Sequence, residues 1–155
     1  MEIYIDFPGG SRVDAHFGKF TVPTDQPPSA SAPTPFDLFL ASIGTCAGIY
    51  ILGLCQQRGL STDGIHIVQH IHSNPATHMI DEIDLDIVVP PSFPEKYRDS
   101  LIRSAELCKV KKHLEKPPLS ILPPKSQVLS IEQVLQLCEK SQLHTSCDLV
   151  SLAVG

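Results

Sequence analysis

The sequence has no tryptophan, and aromatic residues make up only 6% of its 155 positions, so Leu, Ile and Val must fill the core. It lacks positive charge as well: twelve Lys and Arg face seventeen Asp and Glu, a net charge of −5 at pH 7. That balance excludes the broad basic footprint with which proteins hold nucleic acid or anionic lipid. Its five cysteines (Cys46, Cys55, Cys108, Cys138, Cys147) contain no CxxC pair, which speaks against a zinc knuckle. Their odd number speaks against a secreted disulfide scaffold. The first residues, Met1-Glu2-Ile3-Tyr4-Ile5-Asp6, are acidic and alternating, unlike a basic start followed by an apolar run. We therefore expect a cytoplasmic protein with free thiols. What the chain does have is 14 prolines and 42% hydrophobic residues, too apolar a mixture for disorder. The length suits one domain, which buries roughly 70% of its unfolded surface.

Short strands are expected over residues 2–7, 12–17 and 19–22, with turns at Pro8-Gly9-Gly10 and Gly18. Residues 23–35 hold five prolines and read as an extended loop. A long helix over 35–58 follows, with Thr34 as N-cap, Pro35 at N1, Asp37 at N3 and Gly59 past its end. Strands over 64–72 and 80–89 make a hairpin around Ser73-Asn74-Pro75. Residues 95–114 read as helix with a break near Cys108, and 119–122 as a last strand. A short helix runs from Ser130 to Lys140, capped by Ser130 and Gln133, with Ile131, Val134, Leu135 and Cys138 as its apolar stripe. Strands, helix, strands, helix is the order of an α+β domain with helices packed on antiparallel sheet.

From Leu38 through Gln57 no residue is charged, a run long enough to cross a bilayer. Gly44 and Gly48 form GxxxG, a close-packing motif of membrane helices. Ser42, Thr45 and the terminal glutamines, with no basic cluster ahead of the run, favour a buried helix in a soluble protein. A helix apolar on all sides must be covered all round, which one small sheet cannot do. A second copy of the helix, approaching over Gly44 and Gly48, could; an intertwined homodimer is expected, without membrane.

Cys46 lies in the middle of this helix. It is either a small packed hydrophobe or a reactive thiol. Cys55 is nine residues on and half a turn away, so the two cannot pair within one helix, and Cys55 reads as core. Cys108 sits beside Lys109, Lys111, Lys112 and His113, a neighbourhood that lowers a thiol pKa or is simply a solvated basic face. In the hairpin, His66, Val68, His70 and His72 share one strand face, and Glu82, Asp84 and Asp86 share one face of the next. A metal site is conceivable there. Cross-strand ion pairs on a solvated face explain the pattern as well, so no metal ligand is assigned.

Pro33-Thr34-Pro35-Phe36-Asp37-Leu38-Phe39-Leu40-Ala41-Ser42-Ile43-Gly44-Thr45-Cys46 resembles the central-helix motif of the OsmC/Ohr superfamily, the osmotically induced and organic hydroperoxide resistance proteins. Leu107 to Leu114 resembles the second cysteine motif of its OsmC-like branch, and Phe7 to Ala15 its N-terminal Gly-Gly-x-Arg segment. The resemblance covers residues 1–124, an OsmC-like domain, and leaves 125–155 as a C-terminal extension of unassigned role. It implies an α+β homodimer whose antiparallel sheets pack around long central helices. It implies, too, a thiol peroxidase without cofactor that reduces organic hydroperoxides. In that scheme Cys46 becomes a sulfenic acid, Cys108 closes a Cys46–Cys108 disulfide, and an external dithiol, of lipoyl type by resemblance, resets the pair. Arg12 is the counterpart of the family arginine. The family glutamate falls at Phe36, with Asp37 the nearest carboxylate. Asp37 lies nine residues and about 13 Å along the axis from Cys46, so it acts through Arg12 or across the dimer, or else only caps the helix. Apolar neighbours Ile43, Ile49 and Tyr50 favour an alkyl or aryl peroxide. The alternative is an OsmC-like protein that binds a lipid-like or other small ligand with no peroxidase activity.

Overall fold

The structure, a computed structural model, describes residues 1–28, 30–118 and positions 130, 132, 133 and 136. Residues 1–37 and the described positions near the C-terminus belong to one compact unit, and residues 38–118 to a second. The strand expected at 119–122 lies outside the described residues. So does most of the 130–140 helix, but its cap is seen: Ser130 N donates to Gln133 Oε1 at 2.8 Å and Gln133 N to Ser130 Oγ at 3.3 Å.

In the first unit, β1 (Tyr4–Gly9), β2 (Arg12–Phe17) and β3 (Phe20–Val22) form an antiparallel meander in that order. Asp6 lies opposite Asp14, and the register slips between Asp6 and Gly9, where β1 turns into β2. Gly9 and Gly10 hold φ of +118° and +63°, a turn that side-chain-bearing residues resist. The proline-rich loop beyond β3 is organised by Asp25, 1% exposed. Its carboxylate accepts from Ser11 Oγ (2.6 Å), Ser31 Oγ (2.6 Å), Ser31 N (2.9 Å) and Gln26 N (2.7 Å). These donors, the serine hydroxyls foremost, hold Asp25 far below the usual carboxylate range.

α1 runs from Pro35 to Arg58. Thr34 and Asp37 close a capping box: Thr34 N and Oγ1 donate to Asp37 Oδ2 at 2.9 and 2.7 Å, and Asp37 N donates to Thr34 Oγ1 at 3.1 Å. At the other end Gly59 takes φ +62° and Leu60 N reaches back to Cys55 O at 2.9 Å, a Schellman closure. Both ends fall where the sequence puts them.

The second unit packs α1 against a hairpin of β4 (His66–Ser73) and β5 (Ile80–Val88) and two short helices, α2 (Arg98–Ala105) and α3 (Lys109–Glu115). A 3-10 turn over Glu95–Tyr97 leads into α2. The single helix expected over 95–114 is thus two, interrupted at 106–108 as anticipated near Cys108. Ile51, Cys55, Phe93 and Leu101 form the core, with Ile65, Ile67, Ile87 and Val89 of the sheet region against them.

Only the stripe Ile43, Ala47, Ile51 and Cys55 of α1 is buried, while Phe39, Ile49 and Leu52 are exposed. The helix is apolar on every side, so this chain alone leaves it half covered. By length and apolarity α1 could also cross a membrane, with a mean hydropathy of 2.0 over its best stretch. The expected task of Gly44 and Gly48 needs correcting. A Cβ on Gly44 would lie 2.9 Å from Gln69 Oε1, and one on Gly48 would lie 3.6 Å from Ile67 Cδ1. Gly44 thus leaves room for Gln69 of β4, whose Nε2 donates across to Leu40 O at 3.1 Å, while a Cβ on Gly48 would make only ordinary contact with Ile67 of the same strand.

Candidate active site

The functional residues of the second unit gather where α1 meets the start of α3. Beyond Ala105, Leu107 N and Cys108 N donate to Ser104 O and Ala105 O at 3.1 Å each, tight turns that end α2. Cys108 then extends the chain (φ −47°, ψ 122°) and becomes the N-cap of α3, its Sγ accepting from Lys111 N at 3.4 Å. A thiol is an unusual cap, since Ser, Thr, Asp and Asn lead at this position. Cys108 is 1% exposed, and its S–H has two acceptors in reach: Ile43 O at 3.9 Å and the sulfur of Cys46.

Cys46 is half-buried in the middle of α1. Burial raises its pKa, but the Val110 amide, the Cys108 S–H, the Lys109 amide and the Lys109 charge together outweigh that and bring it below the ordinary thiol value. The hydroxyls of Ser42 and Thr45 turn back to Phe39 O (2.6 Å) and Ala41 O (2.8 Å), so activation comes from α3 and not from α1 neighbours. Cys108 moves the other way. Burial raises it first, and its bond to Cys46 and the Cys46 charge raise it further, against the Lys111 and Val110 amides. Of the lysines that follow Cys108, Lys109 places its charge to lower the Cys46 pKa. Two thiols in contact with pKa values driven apart are set unequally, Cys46 toward the thiolate and Cys108 toward the thiol. All three described cysteines are free thiols, and Cys55 lies in the core with its pKa raised by burial alone.

The other two candidates sit in their own surroundings. Arg12, 42% exposed on β2, is paired with the buried carboxylate of Asp14, which also accepts from Thr24 N at 3.4 Å. Asp37 is held by Thr34, the capping role that stood as its alternative. Phe36, at the family glutamate's position, is 56% exposed. Sequence reasoning missed Asp14: the alternation of β2 sets the apolar Val13, Ala15 and Phe17 on the other face, so the pattern does not mark Asp14 as buried.

On the hairpin, His70 Nε2 meets Asp86 Oδ2 and His72 Nε2 meets Asp84 Oδ2, each at 3.1 Å. These are diagonal cross-strand pairs, since the residues directly opposite are His70 with Asp84 and His72 with Glu82. Among the described residues no cluster of three or more His, Cys, Asp or Glu could hold a metal ion.

A long apolar helix with antiparallel strands before and after it and a cysteine on each side of its contact with α3 defines an α+β thiol protein. Residues 28–121, more than half of the sequence, match the family of OsmC-like proteins, and the chain belongs to that family. The fold agrees with two solved structures. One, from Psychrobacter arcticus, is described as an osmotic stress induced and detoxification response protein; it is 18% identical with a TM-score of 0.59, covering 71% of this chain and 85% of that one. The other is an OsmC-like protein from Mycoplasma pneumoniae, 15% identical with a TM-score of 0.58, covering 75% and 87%. At these identities the likeness establishes the fold alone. No curated protein matches the chain.

Proposed function

We propose that the chain is a cysteine-based peroxidase for organic hydroperoxides, a role in keeping with its family. The observation that carries the reading is the Cys46–Cys108 contact, with Cys46 tuned toward thiolate and Cys108 toward thiol. The Cys46 thiolate attacks the terminal oxygen of the hydroperoxide, the O–O bond breaks, and the alkoxide leaves as alcohol after taking the Cys108 proton. Cys46 is left as sulfenic acid. The Cys108 thiolate then attacks the Cys46 sulfur and expels hydroxide, giving the Cys46–Cys108 disulfide. An external dithiol returns both sulfurs to the reduced state and is itself oxidised to a disulfide. Arg12, fixed by Asp14, is the guanidinium assigned to the peroxide oxygens. A second copy of the chain covers the exposed flank of α1 at Phe39, Ile49 and Leu52, making the homodimer, and the thiols operate in a reducing cytoplasm.

Stopped-flow consumption of an alkyl hydroperoxide with thiol counting tests this. Wild type loses two thiols per hydroperoxide and Cys46→Ser none. Consumption by Cys46→Ser at the wild-type rate would end the peroxidase reading in favour of ligand binding. Sedimentation as a stable monomer at micromolar concentration would end the homodimer, as would extraction only in detergent.

A further inference from the structure

The meander of the first unit gathers its ionised side chains on one face. Alternation along β2 puts Arg12, Asp14 and His16 there, and the ladder sets Asp6 opposite Asp14, with Tyr4 and Thr21 opposite His16. Two carboxylates directly across from one another cost stability unless each finds a cation. The buried Asp14 has Arg12. Asp6 has His16, whose Nε2 lies 3.2 Å from Asp6 Oδ1. Both of these atoms are closed off from solvent and neither makes a directed hydrogen bond, so charge is what joins them. The other ring nitrogen, Nδ1, lies 3.1 Å from Thr21 Oγ1, a hydroxyl that can accept from it. A doubly protonated ring therefore has a partner on each side, with the Tyr4 ring beside it at 5.9 Å between centroids. Of the other charged groups nearby, Glu2 is exposed ahead of β1 and Lys19 Nζ lies 5.6 Å from the centre of the Phe20 ring. Asp25 is held by Ser11, Ser31 and Gln26.

We propose that His16 is a positioning residue for Arg12, acting through the two aspartates. Asp6, opposite Asp14, has His16 and Arg12 as its diagonal neighbours on β2, and long side chains reach a diagonal position. With His16 protonated, Arg12 and His16 balance Asp6 and Asp14 one to one. Arg12, its side chain 42% exposed, then answers to Asp14 alone and presents the rest of its five-donor fork outward. When the ring loses its proton, the face keeps two carboxylates and one cation. Asp6 then draws the guanidinium into a bridge between the carboxylates, and its donors are spent there. Histidine is the side chain that makes this change of charge between about pH 5 and 8. The inference rests on the peroxidase reading for what the outward donors do, which is to hold the peroxide oxygens. Peroxide reduction therefore has a limb that falls as His16 loses its proton, set against the limb that rises as Cys46 ionises.

The test observes the guanidinium itself in the full-length protein, without any peroxide. The Nε resonance of Arg12 in nitrogen-15 spectra, assigned by its loss in Arg12→Lys, is followed from about pH 5 to 8, together with the His16 ring. The Arg12 resonance is expected to shift with the midpoint of the His16 ring. In His16→Gln it stays at its alkaline position throughout, and in Asp6→Asn at its acidic one. An Arg12 resonance that titrates in His16→Gln as it does in wild type overturns the proposal. So does one that still titrates in Asp6→Asn, which keeps the histidine and removes only the competing carboxylate. Stopped-flow consumption of an alkyl hydroperoxide gives the second readout. His16→Gln is expected to react about tenfold more slowly than wild type near pH 6, with the gap closing to within about twofold toward pH 8. A ratio that does not change with pH reports a structural loss and overturns the proposal. Wild type that consumes no hydroperoxide removes the peroxidase reading, and the coupling of Arg12 to His16 is then decided by the resonance alone.

Discussion

Cys46 and Cys55 share one helix, nine residues apart on opposite faces, and burial raises the pKa of both. Cys55 meets Ile51, Phe93 and Leu101, and nothing there offsets the cost of a buried charge. Cys46 meets two amides, an S–H and a lysine from α3, and its pKa ends below the ordinary value. The helix supplies the same backbone to each. What separates a reactive thiol from an inert one is the set of donors that another element brings to it, so reactivity here is a tertiary property.

The largest expected effect breaks the comparison if it fails. Cys46→Ser lowers hydroperoxide turnover by roughly a thousandfold or more, as loss of a nucleophile does, while Cys55→Ser turns over within about twofold of wild type, since its thiol touches no reacting group. The cost of Cys55→Ser falls on stability instead, about 1–3 kcal/mol by urea denaturation, because a hydroxyl replaces a thiol in an apolar core.

The next prediction sharpens the comparison through pH. The rate of Cys46 alkylation rises with a midpoint below that of a free thiol, and Cys108→Ala moves that midpoint upward by removing the S–H donor. Cys55 in unfolded-state-limited labelling shows no such midpoint. An unchanged Cys46 midpoint in Cys108→Ala would remove the partner thiol from the activation.

The first unit offers a control with no sulfur in it. Asp25 is depressed in the folded state, so its stabilising contribution is complete above the unfolded value of about 3.9 and is lost as pH falls below it. Asp25→Asn is expected to flatten the acid limb of the denaturation profile, leaving the alkylation midpoint of Cys46 where it was. The smallest effect is Gly44→Ala. Better helix propensity contributes about 1 kcal/mol, displacing the Gln69 amide costs about the same, and the sum is within about 0.5 kcal/mol of zero by denaturation.

The parts of this molecule legible in the sequence are those whose causes are local. Thr34, Pro35 and Asp37 start α1 and Gly59 ends it, through bonds that span three to five residues. The two-residue alternation of the hairpin puts its histidines and carboxylates on one face, as the register shows. The break near Cys108 is legible too, but its capping by sulfur is not, because a cysteine carries little preference for that position. The donors to Cys46 lie far along the chain, at Lys109 and Val110, and they are backbone amides, which every residue has and no motif reveals. Gly44 illustrates the same limit: the glycine shows that something approaches closely, and only the fold shows that it is Gln69 of β4.

The amides of α3 that favour negative charge on Cys46 imply a reciprocal debt of structure to chemistry. By linkage, whatever the first turn of α3 does for the thiolate, the thiolate does for that turn. α3 has seven residues, too few to persist as a helix on propensity alone. Negative charge on Cys46 facing its leading amides, and a sulfur bonded to Lys111 N, therefore favour its staying wound. In the disulfide of the proposed peroxidase cycle no such charge remains, and the turn is expected to loosen. Exchange of the Lys109, Val110 and Lys111 amides with solvent deuterium then reads out the redox state of the pair, as a local melting that a thiol reagent never needs to touch.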